Sequence, residues 1–168
     1  MAKVKRFFLE IKKEKFLNQS PSFPEKTEVF LDNEKNIDIN KFFYRQVGKD
    51  HFWRDRLLWS DKEWKKYISN KHLETGMLKL DGKLIGFYEQ EFHEIKNELE
   101  LIQMGILKEH QGKKFGSLLL EHIIFEAFNK NVEKISVHTC SLDHKYALNN
   151  YLTKGFKIFK EETIEIIF

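Results

Sequence analysis

With 168 residues, 41% of them hydrophobic, the chain is long enough for one packed core and does not call for a second. Its 29 basic and 26 acidic side chains nearly cancel at +3 and alternate along the chain, which argues against a nucleic-acid or membrane-surface role; the single cysteine, Cys140, excludes an intramolecular disulfide and suits a reducing compartment. The N-terminus carries basic residues but no apolar stretch of signal-peptide length, and no later run approaches a membrane span, so a cytoplasmic location is expected.

Both prolines fall in the polar stretch 18–24, which reads as a loop between a strand near residues 3–11 and another near 27–32. Ile39, Phe42, Phe43 and Val47 follow helical spacing, with Gly48 as a C-terminal stop. Ser60-Asp61-Lys62-Glu63 fits a capping box ahead of Trp64, Tyr67 and Ile68. Asp81-Gly82 supplies the positive φ angles of a two-residue hairpin between 77–80 and 84–88, and a third strand, 98–106, follows through a turn at Lys96-Asn97.

Phe115, Leu119, Ile123 and Ala127 line one face of a helix that ends near Asn131. Ile135, Val137 and Thr139 alternate as a strand; Ala147, Leu148, Tyr151 and Leu152 mark a last helix, stopped by Gly155 before a final β stretch. The order β, β, α, α, antiparallel meander, α, β, α, β predicts an α/β fold with one mixed sheet and helices on both faces. A Rossmann pattern would alternate strand and helix from the start, with its Gly-rich turn early.

The segment 105–116 runs from a strand directly into a helix, where orphan N–H groups and the helix dipole favour an anion and glycines let the backbone approach it. Lys113 and Lys114 add charge. Two glycines before a helix are also ordinary turn chemistry, and no Gly-Lys-Ser/Thr closes a P-loop here.

This loop, followed after one strand by Ala147-Leu-Asn-Asn-Tyr-Leu-Thr-Lys-Gly-Phe156, resembles the GNAT superfamily of acetyl-CoA-dependent N-acetyltransferases. That family's loop, Arg/Gln-x-x-Gly-x-Gly/Ala, is matched by Gln111, Gly112, Phe115 and Gly116, while Lys114 occupies the central glycine, where a lysine of ordinary helical φ would fit. The family's ending, Ala, three residues, Tyr, three residues, Gly-Phe, is reproduced by Ala147, Tyr151, Gly155 and Phe156. Val137-His138-Thr139-Cys140-Ser141-Leu142-Asp143-His144 and the stretch 53–61 are similar to a bacterial subgroup with a His-Thr-x-x-Leu-Asp-His signature.

The resemblance implies a single GNAT-like domain over 1–168, with N-terminal strands and loop in 1–36 and a core in 37–168 whose acyl-CoA loop spans 105–117. It implies acetyl-CoA as co-substrate, with Gln111, Gly112, Lys113, Lys114, Phe115, Gly116 and Ser117 around its pyrophosphate. Met104 and Ile106 would be backbone contacts on a strand that splays from its neighbour, and His144 falls where many members carry an asparagine near the cofactor. No metal is expected, since His138 and His144 lack ligand spacing.

Acetyl transfer needs a neutral amine, a place for an oxyanion and a proton for the departing thiolate. Tyr151 is the candidate acid, because a phenol is neutral at working pH and can donate to sulfur; core packing is its other reading. Glu100 is the candidate base, placed an even number of residues before Ile106 and so expected on the same face, with Glu98 as substitute; alternating glutamates also mark a solvated face. Trp53, Arg56, Trp59, Tyr88 and Glu89 are candidates for an acceptor pocket with aromatic walls and a carboxylate, or for core. Cys140 lacks an activating base and reads as a small buried residue.

The reading is thus an enzyme acetylating a primary amine of a small molecule by direct attack; its alternative is a non-catalytic acyl-CoA-binding sensor or interaction domain. The partners expected are that amine acceptor and at most a second copy in a homodimer, with no nucleic acid and no membrane.

Overall fold

The computed structural model describes residues 1–167; Phe168, the last residue of the expected domain, lies outside them. Strands β1 (Ala2–Lys12) and β2 (Thr27–Leu31) precede helix α1 (Ile37–Gly48), which starts on Asn36, whose side chain accepts from the Asp38 amide. Gly48 ends α1 as expected, but for a packing reason: a Cβ there would lie 2.5 Å from the Cβ of Trp53, so the glycine makes room for the indole. The capping box forms at Ser60 and Glu63 and opens α2 (Asp61–Ile68).

The meander follows as β3 (Leu73–Leu80), β4 (Lys83–His93) and β5 (Glu98–Ile106), with Asp81 at φ +51° and Gly82 at +80° in the first turn. Helix α3 (Phe115–Asn129), β6 (Lys134–Cys140), α4 (Ala147–Thr153) and β7 (Lys157–Ile166) complete the chain. Gly155, at φ +102°, closes α4: its N–H donates to Leu152 O and that of Phe156 donates to Tyr151 O, which satisfies two carbonyls the helix end leaves open.

The seven strands form one sheet in the order β2-β3-β4-β5-β6-β1-β7, and β5 with β6 is its one parallel pair. β1 sits between β6 and β7, five positions from β2, so the connection 13–26 has to travel back across the molecule. It does so over α3, with Phe16 against Phe125 and Phe128 and Phe23 against His122.

The main core lies between the sheet and α3 and α4, where Leu9, Leu101, Ile135, Leu119 and Leu120 are buried. On the other face α1 packs through Phe43, stacked on Phe87 of β4 with centroids 4.9 Å apart. Helices cover both faces, as expected. Among the described residues no helix is long and apolar enough to cross a membrane.

Candidate functional site

β5 changes its neighbours halfway along. Glu98 to Leu101 pair with Lys134 to Val137 of β6, and there the parallel ladder stops. Beyond it β5 pairs with β4 alone, through Gln103 to Ile106, while His138 to Cys140 of β6 pair with β1. The facing edges of 102–106 and 138–140 therefore carry main-chain groups outside any ladder, which is where an extended ligand can take strand hydrogen bonds. Met104 and Ile106 sit on this half of β5.

A β-bulge at the same point corrects one expectation. Glu89 pairs with Gln103 but Gln90 pairs with Leu101, so Ile102 is an extra residue and the alternation of side chains resets. Met104 and Ile106 lie opposite Tyr88 and Gly86, on the core face with α3; Glu100 lies opposite Glu91, on the face of α1. Glu100 and Ile106 are thus on opposite faces although an even number of residues separates them.

Beyond β5 the chain turns into α3. Gln111 donates through Nε2 to Ile106 O, 3.0 Å, tying the loop back to the strand. Gly112 has φ +77°, and a Cβ built on it would meet nothing within 4 Å. Lys114, expected at a helical φ, is instead left-handed at φ +67° and caps α3 with no side-chain hydrogen bond. A glycine would adopt that angle without strain. Phe115 is buried in the core, Gly116 rests beside Ile106, and the first turn holds no acidic residue. The first-turn amides, Lys113, Lys114 and the Ser117 hydroxyl fit a pyrophosphate.

Tyr151 belongs to α4 on the core face. It is 7% exposed, its ring meets Phe156 at 5.6 Å, and its hydroxyl has no hydrogen-bond partner among the described residues. Burial, then the Asp143 carboxylate, pushes its pKa up, so the phenol stays protonated at any working pH. Glu100 accepts or shares a proton with His93 Nε2 at 2.9 Å, and Glu91 stands 3.5 Å from the same nitrogen. Glu98, the substitute base, is buried and sits 3.8 Å from Lys134. Glu91, His93 and Glu100 are the one His/carboxylate group among the described residues whose ligand atoms lie within 4.8 Å of one another; all three are half-exposed.

The expected acceptor residues divide. Arg56 and Glu89 form a closed cluster: Arg56 Nη1 donates to Glu89 Oε1 at 2.9 Å, Tyr67 OH to the same oxygen at 2.7 Å, and Asn40 Nδ2 to Oε2 at 2.7 Å and to Thr75 at 2.9 Å. Trp59, Tyr67, Tyr44 and Trp64 surround the guanidinium, the Tyr67 ring nearest at 4.2 Å. Burial acts to lower the Arg56 pKa, but Glu89 and Tyr67 more than offset it and hold the guanidinium charged. Tyr88 is on the other face, buried in the core over Gly76, and does not meet this group.

Trp53 packs against Tyr44 and Phe87 and points its Nε1 at Asp143 Oδ1, 3.4 Å away. Asp143 also accepts from Thr139 Oγ1 at 2.5 Å and Cys140 N at 2.9 Å, and His51 Nδ1 lies 3.3 Å from Leu142 O. The stretches 53–61 and 137–144, singled out separately in the sequence, therefore meet. His144 stands beside His51, rings 6.0 Å apart, with its pKa lowered by burial and then by His51. Cys140 is half-buried, and burial followed by Asp143 raises its pKa, which disfavours a thiolate.

Sequence reasoning missed Asn40, Tyr67, Thr75 and His93. For His93 a signal existed: the Lys96-Asn97 turn sets Glu91 and His93 of one strand against Glu98 and Glu100 of the next.

Solved structures share this fold. A GCN5-related N-acetyltransferase from Sphaerobacter thermophilus superposes with a TM-score of 0.73 at 11% identity, over 97% of this chain and 51% of that one. A GCN5-related N-acetyltransferase from Kribbella flavida gives 0.61 at 12%, over 92% and 54%. The chain thus spans about half the length of these two. An aminoglycoside acetyltransferase from an uncultured soil metagenomic sample gives 0.65 at 13%, over 88% of this chain and 97% of that one. The profile of the acetyltransferase (GNAT) family matches residues 33–156, most of the chain and every part of the site, so the chain belongs to the GNAT acetyltransferase family.

Proposed function

We propose that the chain transfers an acetyl group from acetyl-CoA to a primary amine of a small molecule by direct attack. The observation that carries this reading is the parting of β5 and β6 beyond Leu101 and Val137, with the α3 N-terminus at its mouth. Glu100, paired with Ser136, is one residue before the gap opens. Tyr151 comes from the core face and Glu100 from the face of α1.

The roles follow from the two environments. The loop 111–117 holds the pyrophosphate and the free edge of 102–106 takes the pantetheine, Met104 and Ile106 by their main chain. Glu100 takes one proton from the ammonium, directly or through water, and passes it to solvent. The nitrogen then attacks the thioester carbonyl; the C–N bond forms as the C–S bond breaks, and Tyr151 gives the leaving sulfur its proton. The amine's second proton restores the phenol, so the sum is amide, free thiol and one proton released.

The acceptor lies on the α1 side, reached past Trp53 and Trp59. Arg56 and Glu89 support that wall from behind, since their polar atoms are already engaged with each other.

Titration with acetyl-CoA, with melting temperature and thiol release followed over an amine panel, tests this. Ligand at 100 times its Kd should stabilise the fold by about 2.7 kcal/mol. Gly112→Val, which forces a β-branched residue to positive φ beside the phosphates, should abolish the shift. No shift in the wild type would end the reading; a shift without thiol release for any amine would make the chain an acyl-CoA-binding module.

A further inference from the structure

The stretches 53–61 and 137–144 meet at the gap between β5 and β6, and the roles assigned above leave their junction unused. Trp53 is seated where Gly48, at the end of α1, has no Cβ, and its ring packs 5.7 Å from Tyr44 and 6.4 Å from Phe87 of β4. From there the indole reaches outward: its Nε1 donates to Asp143 Oδ1, 3.4 Å away, in the turn that follows β6. β4 and β6 lie on either side of β5, so this one side chain crosses the α1 side of the place where β5 and β6 part. We propose that Trp53, held by Asp143, is a bar across the gap that keeps bulk water from the thioester, so that the acetyl group passes to an amine and not to water. Asp143 is then a positioning residue, acting through the indole. The assignment rests on the acyl-CoA reading above and specifies how that site chooses its nucleophile.

Three observations support it. First, the Asp143 carboxylate divides its contacts: Oδ2 accepts from Thr139 Oγ1 at 2.5 Å and from Cys140 N at 2.9 Å within its own turn, while Oδ1 is aimed out of that turn at the indole. Second, packing alone does not account for a tryptophan here. Tyr44 and Phe87 could pack on a phenylalanine, but only an indole carries a donor at its far edge. Trp53 and Asp143 are both half-buried, so one edge of the junction faces solvent, as the passage of an acceptor requires. Third, the same two loops join at a second point: His51 Nδ1 lies 3.3 Å from Leu142 O, and its ring stands 6.0 Å from that of His144. The junction also lies close to the proposed proton donor, since Asp143, after burial, raises the pKa of Tyr151. Were the bar removed, water would attack the thioester carbonyl as the C–S bond breaks, giving acetate, free thiol and one proton with no amide formed.

The test is release of free thiol from acetyl-CoA with no amine present, in the wild type, Trp53→Phe, Asp143→Asn and the double variant, with the melting temperature and the calorimetric affinity for acetyl-CoA of each. Trp53→Phe keeps a ring on Tyr44 and Phe87 and removes the donor. Asp143→Asn keeps an oxygen for Thr139 and Cys140 and turns an amide N–H toward the indole, donor against donor. Each change should raise hydrolysis by about tenfold, the worth of one hydrogen bond to a charged group, with acetyl-CoA affinity unchanged. The double variant should be no faster than either single one, because both break the same contact. Hydrolysis at the wild-type rate in the single variants overturns the bar while leaving acyl-CoA binding intact. So does a double variant whose increase is the product of the two, since independent loosening of two loops gives that result. Should Asp143→Asn fail to fold, Trp53→Phe decides alone, because it leaves the Asp143 turn whole. A wild type that binds no acetyl-CoA ends the acyl-CoA reading itself, and the bar with it.

Discussion

Glu89 and Glu100 lie on the same face of adjacent strands, each beside a cationic or imidazole side chain, yet their surroundings differ. Glu89 is 0% exposed and its partner Arg56 8%, and three donors from α1, α2 and the loop before α2 fill the carboxylate. Glu100 is 35% exposed beside a His93 that is 39% exposed, with one close hydrogen bond among the described residues. A buried carboxylate with both oxygens hydrogen-bonded is poorly placed to take a proton from an incoming amine and cannot leave its guanidinium without a large penalty. One with a free side toward solvent can exchange protons. The closed pair holds α1, α2, β3 and β4 in place; the open pair is available for chemistry.

Breaking the closed pair should have the largest effect. Glu89→Ala leaves the Arg56 guanidinium buried and unpaired, and a loss of about 3–5 kcal/mol is expected, lowering the melting temperature by about 10 °C or more. If the temperature falls by less than about 2 °C, water reaches Arg56 and the cluster is open after all, which would return both residues to the acceptor pocket.

The next effects fall on turnover. Glu100→Gln should stay within about 0.5 kcal/mol of wild-type stability, as a half-exposed residue, while its rate falls by about 10²- to 10⁴-fold below the acceptor's own pKa and recovers above it. Tyr151→Phe, from the opposite face, should lose kcat on the same scale at every pH with acetyl-CoA affinity near wild type, because the phenol's raised pKa keeps it protonated throughout. A flat pH profile for Glu100→Gln would give the base to water, and full activity in Tyr151→Phe would make that ring core packing only.

What the sequence made legible was local. The Asp81-Gly82 turn, the Ser60 capping box and the Gly155 stop are each set by residues within a few positions of one another, and all three appear where expected. The placing of β1 between β6 and β7 is decided by pairings across more than a hundred residues, which no window along the chain contains. The face of Glu100 was misjudged because parity holds only in an unbulged strand, and Ile102 becomes the extra residue only against the register of β4. Lys114 was legible as a departure from a glycine pattern, but its left-handed φ comes from the turn into α3. The pocket residues were chosen by type, and type alone cannot separate Arg56, enclosed by aromatic rings, from a side chain facing an open cleft.

The smallest effect expected is at His93, and it bears most directly on how the open pair works. The imidazole Nε2 is 2.9 Å from Glu100 and 3.5 Å from Glu91, so His93 stands between two carboxylates that would otherwise repel or swing apart. If it is a positioning residue for Glu100, His93→Ala should lower kcat by about tenfold, the worth of one hydrogen bond to a charged group, with the KM for acetyl-CoA unchanged because the proposed coenzyme contacts lie elsewhere. His93→Gln puts an amide nitrogen near the place of Nε2 and should restore most of that loss, although it cannot titrate. A histidine that only decorates the surface behaves differently: half-exposed ion pairs contribute about 0–1 kcal/mol to stability, and neither substitution would then move kcat. Glutamine and alanine variants that are equally slow would show that orientation is not the contribution, leaving proton exchange through the ring. Rescue by glutamine, with loss in alanine, establishes that the open carboxylate is aimed as well as accessible.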